Sequence, residues 1–387
     1  MTQHVILASY AYLPHTGGVE NSLYHLAIEY QRYGYEVTII STDAGYDSVH
    51  DDKGLNVVRI PRGHHLLGKI RYLFNHYFAW RRLYKQFAKS HVPTPLVIAR
   101  HHHSVCFARL ARFSRVVYLV PSVHRFEYSP QTMLDKYMQR AQQCFQAFAC
   151  RLASQVGVFS HNMAKQLHTI GINDTLRFNP GVSQERFHPL SELKRTTLRL
   201  THHIEPEDVV LLCVGRMVVN KGFDLVIEAF ATLIQDNPLA MIKLILVGEG
   251  EAHSDLLHLS ERLGVNNQII WVGSTTKPEL YYQMSDAFLF SSRYEPFGQT
   301  LIEAAACQLP IVAFTPSDEV HTATDKIFNP EDIYWVESLS ADSLAYQCQR
   351  LIEDHLLRQT PLTEQYSNVL QRYSWHSLSR ALWDQVI

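Results

Sequence analysis

The chain has 387 residues, 46% hydrophobic and 19% charged, with a formal net charge of −2. That length is too great for one ordinary core, so two domains are expected, with the composition of a soluble globular protein. No run of about 18 apolar residues occurs, which argues against a transmembrane helix, and near-neutrality of the whole names no partner.

The N-terminus runs from Met1-Thr2-Gln3-His4 straight into Val5-Ile6-Leu7-Ala8, without the basic and long apolar regions of a signal peptide. A cytoplasmic location is therefore expected. The cysteines, Cys106, Cys144, Cys150, Cys213, Cys307 and Cys348, form no CxxC pair and read as reduced, packed thiols.

His4–Tyr10 reads as a buried strand, followed by a loop with Gly17-Gly18 and a helix over Val19–Arg32 marked by Leu23, Leu26, Ala27 and Tyr30. Gly34 ends it and Glu36–Ile40 is the next strand, a βαβ beginning that implies a parallel sheet. Further strands are expected at Asn56–Ile60, Leu96–Ala99, Val116–Val120, Gln155–Phe159 and Leu176–Phe178, and Phe178-Asn179-Pro180-Gly181 is a turn signal. The polar stretch 188–207, with Pro189 and Pro206, reads as a linker.

The alternation then restarts. Strands are expected at Val209–Val214, Ile242–Val247, Gln268–Val272, Ala287–Ser291 and Pro310–Phe314. Helices are expected at Phe223–Leu233, Asp255–Leu263, Thr300–Cys307, Asp342–Glu353 and Trp375–Val386. Two α/β units follow: residues 1–187, joined by a helix at 372–387 packing back on them, and residues 208–371.

No Asp or Glu lies between Asp52 and Glu127, whereas Lys and Arg recur from Lys53 to Arg125. Near-neutrality thus hides a basic first half. Leu66, Ile70, Leu73, Tyr77, Trp80, Tyr84 and Phe87 alternate at steps of three and four, one apolar helix face widened by Leu67, Phe74 and Phe78. Two readings stay open: a core-facing helix with solvated cations, or a helix lying on an anionic bilayer. Nucleic acid is not expected as a partner, since no nucleic-acid motif accompanies the charge.

The segment Ser291-Ser292-Arg293-Tyr294-Glu295-Pro296-Phe297-Gly298-Gln299-Thr300-Leu301-Ile302-Glu303-Ala304 follows an apolar strand and opens a helix. Ligands of doubly wound sheets bind at such turns, and amides at a helix start favour anions. Glu295 and Glu303 frame this amide cradle, and each carboxylate can accept from two vicinal hydroxyls. The pair can therefore grip both sugars of a nucleotide sugar. Arg216 and Lys221, after the strand ending Cys213-Val214-Gly215, can reach a diphosphate and neutralise a leaving nucleoside diphosphate without a metal. His101-His102-His103 invites a metal reading, but consecutive side chains of an extended chain point to opposite faces, so no metal site is expected.

These pieces resemble the retaining glycosyltransferases of the GT-B fold, family 4. The resemblance rests, in order, on Gly17-Gly18-Val19-Glu20, Tyr33-Gly34-Tyr35-Glu36-Val37, His124, Asn179-Pro180-Gly181-Val182 with Phe187, Val214-Gly215-Arg216 with Lys221-Gly222, Val247-Gly248-Glu249-Gly250, and Glu295 to Glu303. It implies two Rossmann-like domains facing a central cleft, acceptor side first and donor side second. It further implies that Glu303 binds the donor ribose and Glu295 the transferred sugar. Arg216 and Lys221 would hold the diphosphate with amides of Phe297, Gly298, Gln299 and Thr300. Gly17 and Gly18 would close the donor site, His124 would sit by the donor sugar, and Gly248 and Val272 would shape the base pocket.

The sequence departs from the family pattern at Arg125, where an acid is usual, and at Thr315-Pro316-Ser317-Asp318-Glu319, where a glycine-rich turn is usual. Residues 322–336 match poorly. The expected activity is transfer of a hexose, with retention, from a nucleoside-diphosphate sugar to a hydroxyl of a glycan or lipid-linked acceptor. The expected setting is bacterial surface polysaccharide or lipopolysaccharide assembly, in the cytoplasm or peripheral to the inner membrane face, with no cofactor. Alternatives are a nucleotide-sugar epimerase or hydrolase on the same fold, and a catalytically silent partner subunit. A dinucleotide oxidoreductase is disfavoured, because Gly17-Gly18 is not part of a GxGxxG with a following acid.

Overall fold

The computed structural model describes residues 3–13, 18–42, 54–60, 66–89, 94–123, 133–237, 241–295, 297–358 and 366–385. The chain divides into two compact units, 1–181 with 375–387, and 182–374.

The first unit is built on β1 (His4–Ala8), β2 (Glu36–Ser41), β3 (Asn56–Arg59), β4 (Leu96–Ala99), β5 (Val116–Leu119), β6 (Gln155–Val158) and β7 (Leu176–Arg177). They form one parallel sheet in the order β3-β2-β1-β4-β5-β6-β7. Val5, Ile6, Leu7, Ala8 and Leu96–Ala99 are all buried, as expected of strands covered on both faces. Its helices are α1 (Gly18–Arg32), α2 (Leu66–Lys89), α3 (His102–Leu110), α4 (Met133–Leu152) and α5 (His161–His168). The final helix, α14 (Trp375–Asp384), packs on α1: Tyr30 Oη donates to the Ser379 carbonyl at 3.1 Å, and His25 stacks on Trp375.

The predicted aromatic face of α2 is only partly a core face. Trp80 is fully buried against Phe113 and His76 stacks on Phe107 of α3, but Leu73, Phe74 and Phe78 are exposed.

In the second unit, β8 (Val209–Val214), β9 (Ile242–Val247), β10 (Ile269–Gly273), β11 (Ala287–Phe290), β12 (Ile311–Phe314) and β13 (Tyr334–Val336) form a parallel sheet ordered β10-β9-β8-β11-β12-β13. Around it lie α6 (Glu192–Thr201), α7 (Phe223–Asp236), α8 (His253–Arg262), α9 (Glu279–Met284), α10 (Gln299–Ala306), α11 (Thr324–Ile327), α12 (Ala341–Arg358) and α13 (Ser367–Arg372). One face is sealed by Phe223, Ile227 and Phe230 of α7 with Leu344 and Leu351 of α12, over Leu211, Leu244 and Leu246.

The boundaries expected from sequence need correction. The second unit begins at Val182, not at 208, and residues 188–207 are not a free linker but carry α6. The inward-facing residue of α6 is an arginine, which is why the segment reads as polar. Arg199, 2% exposed, donates to Asp286 Oδ2 at 2.6 Å and to the carbonyls of Met284, Pro206 and Asp208. Asp286 also takes Arg195 and the Val210 amide. A polar helix is thus docked by a satisfied buried ion pair rather than by an apolar stripe.

Asp286→Ala leaves the buried Arg199 charge uncompensated and should destabilise the second unit by about 3 kcal/mol. A denaturant melt checks this, and a loss below about 1 kcal/mol would show that the carbonyl contacts alone suffice to dock α6.

Candidate active site

The order of the second sheet reverses between β8 and β11, and their carboxyl ends open the crevice where ligands of such sheets bind. The motifs singled out above leave from these two strands. They are held very close together. Gly222 has φ +67°, and a Cβ there would stand 2.2 Å from the Ser291 carbonyl oxygen. Ser291 Oγ donates to the Lys221 carbonyl at 2.8 Å, and the Arg293 amide to Asn220 O at 2.8 Å.

Arg293 then forks onto both oxygens of Asp224 at 2.8 and 2.7 Å and onto the Val219 carbonyl. Burial by itself would raise the Asp224 pKa, but the bonds and charge of Arg293 outweigh it and hold the carboxyl below its ordinary range. This clamp, unassigned from sequence although Arg293 lies in the motif, joins the two loops.

Lys221 and Glu295 are brought into direct contact: Lys221 Nζ donates to Glu295 Oε2. The Glu295 backbone is fixed by its amide on His321 O at 3.1 Å. Gly298, at φ 95° and ψ 62°, is the left-handed N-cap of α10. A side chain there would be strained and would meet Leu301 Cδ1 at 2.8 Å, so glycine is required by the turn itself. Phe297 is buried, and Gln299 and Thr300 are half-buried at the helix start.

Glu303 lies a turn further in, 9% exposed, and accepts from Tyr282 Oη of α9 at 3.0 Å. Burial pushes its pKa up to about 7 against the hydrogen bond of Tyr282 and the charge of Arg186. Tyr282 was not anticipated, because α9, at six residues, is too short to leave a periodic signal in the sequence.

Arg216 stands exposed at the exit of β8, and no side-chain partner for it occurs among the described residues. Gly248, at φ 134°, packs against the same exit: its Cβ would meet Gly215 O at 1.9 Å, and its amide bonds Gly273 O at 2.9 Å. Val272 lies in an irregular, half-buried stretch of β10. Gly18 begins α1, while Gly17, His124, Arg125 and Pro296 lie outside the described residues.

The geometric premise used against a metal at the triple histidine needs correction. His101 is extended, but His102 and His103 already belong to α3, so the chain turns and the three rings come together with nitrogens within 4.8 Å. This cluster lies at the start of α3, next to the buried Arg100, on which the charge of Glu20 of α1 acts.

Residues 194–367 match the family model described as glycosyl transferases group 1, and residues 16–186 match glycosyltransferase family 4. The chain belongs to this group of GT-B glycosyltransferases. It is 38% identical over 141 residues to the mannosylfructose-phosphate synthase of Agrobacterium fabrum, covering 34% of this chain and 31% of that protein. It is 24% identical over 237 residues to the capsular polysaccharide biosynthesis glycosyltransferase CapM of Staphylococcus aureus, covering 59% of this chain and 57% of CapM. The crystal structure of Anabaena HepE with UDP and glucose superposes with a TM-score of 0.78 at 18% identity, covering 98% of both chains, which shows the shared fold.

The raised pKa of Glu303 has a measurable consequence. Its folded value lies above the ordinary 4.5, so the folded state resists ionisation. The penalty is absent below about pH 4.5, grows as pH rises, and is complete above about pH 7. Glu303→Gln removes it. The stability gain of the variant over wild type should therefore rise from near zero at low pH to about 3 kcal/mol by pH 8. Melting curves at several pH values test this, and a pH-independent difference would contradict it.

Proposed function

We propose that the chain is a retaining glycosyltransferase that moves a hexose from a nucleoside-diphosphate sugar to a hydroxyl of a glycan or lipid-linked acceptor. The observation that carries this reading is the frame of Glu295 and Glu303 around the start of α10, with Lys221 and Arg216 at the adjoining strand exit. It has two carboxylates for sugar hydroxyls and two cations plus helix-start amides for a diphosphate. Glu303 takes the ribose and Glu295 the transferred sugar. Lys221 and Arg216 stabilise negative charge developing on the departing diphosphate, a purely electrostatic contribution that needs no metal. Attack from the face the leaving group vacates accounts for retention without a carboxylate nucleophile.

A role in surface polysaccharide or lipopolysaccharide assembly is supported by the likeness to CapM. We assign the acceptor side to the first unit, which would work on the cytoplasmic face of an anionic membrane. Support comes from the layer formed by α2, α3 and α4, where Phe145 of α4 packs on His102 and His103 of α3. Its helices expose the large apolar side chains Phe74, Phe78, Leu110, Tyr137, Met138 and Phe148, and exposed apolar surface of this kind marks an interaction site where it gathers into a patch. Arg71, Arg82, Lys85 and Lys89 of α2 and Lys136 and Arg140 of α4 are exposed with it, the combination that suits an anionic interface. Among the described residues no helix is long and apolar enough to cross a membrane.

The donor is tested by thermal shift against UDP, GDP, ADP and their sugar conjugates. One nucleotide series should stabilise the protein, by about 2.7 kcal/mol at a hundredfold excess over Kd, and Glu303→Ala should abolish the shift. With that donor and an acceptor, Glu295→Ala should lower transfer at least about a hundredfold; near-normal turnover would remove Glu295 from its role. Release of free sugar or an epimer without acceptor would instead mark a hydrolase or epimerase.

Binding to anionic vesicles should weaken with added salt and fall on Phe74→Ser with Phe78→Ser. Equal binding to neutral vesicles would refute the electrostatic part.

A further inference from the structure

The two side chains assigned to different parts of the donor are bonded to each other. Lys221 Nζ donates to Glu295 Oε2, with the side chains 22% and 19% exposed. The backbones on both sides are fixed. The Lys221 carbonyl accepts from Ser291 Oγ and Gly222 is wedged against Ser291 O, while the Glu295 amide is held by His321 O. Only the side chains are left to rearrange. The neighbouring cation Arg293 is already committed to both oxygens of Asp224, so it offers Glu295 no substitute.

We infer that Lys221 is exchanged between Glu295 and the diphosphate, and that this exchange makes the site prefer an intact sugar donor over a free nucleoside diphosphate. This rests on the donor reading above and adds a selection rule to it. A diphosphate that draws the ammonium toward itself strips Glu295 of its counter-charge and places new negative charge near the bared carboxylate. A free nucleoside diphosphate has nothing to return to that carboxylate. A donor does: the hydroxyls of its sugar donate to Glu295 while its phosphates take Lys221. After transfer the sugar departs, Glu295 recaptures Lys221, and the grip on the diphosphate product slackens. Glu295 is then a sensor of the sugar as well as a contact to it.

A double-mutant cycle read by titration calorimetry separates this exchange from simple repulsion between carboxylate and phosphate. The probes are UDP, GDP and ADP, each with its glucose conjugate, against wild type, Glu295→Gln, Lys221→Ala and the double variant. Glutamine is isosteric and the site is part-exposed, so folding is retained, which melting temperatures verify. Glu295→Gln should bind the preferred diphosphate about tenfold more tightly than wild type, and should give little gain when Lys221 is already alanine. The conjugate should gain nothing, so the preference for the donor over the diphosphate shrinks.

An equal gain in both backgrounds would reduce the effect to repulsion and overturn the exchange. So would diphosphate binding that is unchanged or weaker in Glu295→Gln, which would mean that Lys221 serves both groups at once. If no diphosphate or conjugate binds the wild type, the donor reading itself fails and the exchange falls with it.

Discussion

Where β8 and β11 leave the second sheet, their loops pass so close that the chain has no room for a side chain at Gly222. That contact is the constraint from which the candidate site follows. It brings residues far apart in the sequence, Lys221 and Glu295, into bonding distance, and the fork of Arg293 onto Asp224 locks the arrangement. Because the sheet order reverses at this point, the connections leaving the two strands diverge and open a crevice, and α10 starts just beyond β11. The fold therefore supplies an anion-attracting floor, and the loops supply the charges that refine it.

Buried charge is handled in two different ways in this unit. Asp286 and Arg199 are paired and saturated with hydrogen bonds, so their role is to fasten α6 to the sheet. Glu303 is buried with a tyrosine hydroxyl and, among the described residues, no cation bonded to it, and burial raises its pKa. A carboxylate left short of compensation in a crevice is suited to accept from ligand hydroxyls. The same physics makes it a stability liability, a trade that active sites commonly accept. The first unit shows a comparable tension, since α2 and α4 keep aromatic and cationic side chains in solvent that a purely structural helix layer would not require.

Much of this was legible in the sequence. Strands buried on both faces are written as short unbroken apolar runs, so β4, β8 and β9 fall on their expected residues without adjustment. The alternation of strands and helices fixed the parallel α/β class, and the spacing from Glu295 to Glu303 pointed to the candidate site because the turn and helix start between them are local. α6 was missed because its inward residue is Arg199, and charge in a sequence reads as solvent exposure. α3 was missed because the run of three histidines suggested an extended segment, whereas the chain turns into a helix after the first of them.

The sequence by itself thus determined the class of fold, the family and the loops of the candidate site, since all of these depend on periodicity and near neighbours. Which side chains meet was decided only by tertiary structure. The pairing of Lys221 with Glu295, the seating of Glu303 under Tyr282 and the docking of α6 on Asp286 each join segments separated by tens of residues. Such contacts depend on strand order and on how closely two loops approach, and neither leaves a local trace in the chain. The ionisation of Glu303 follows from the same source, because burial is a property of the packed molecule and not of the residue.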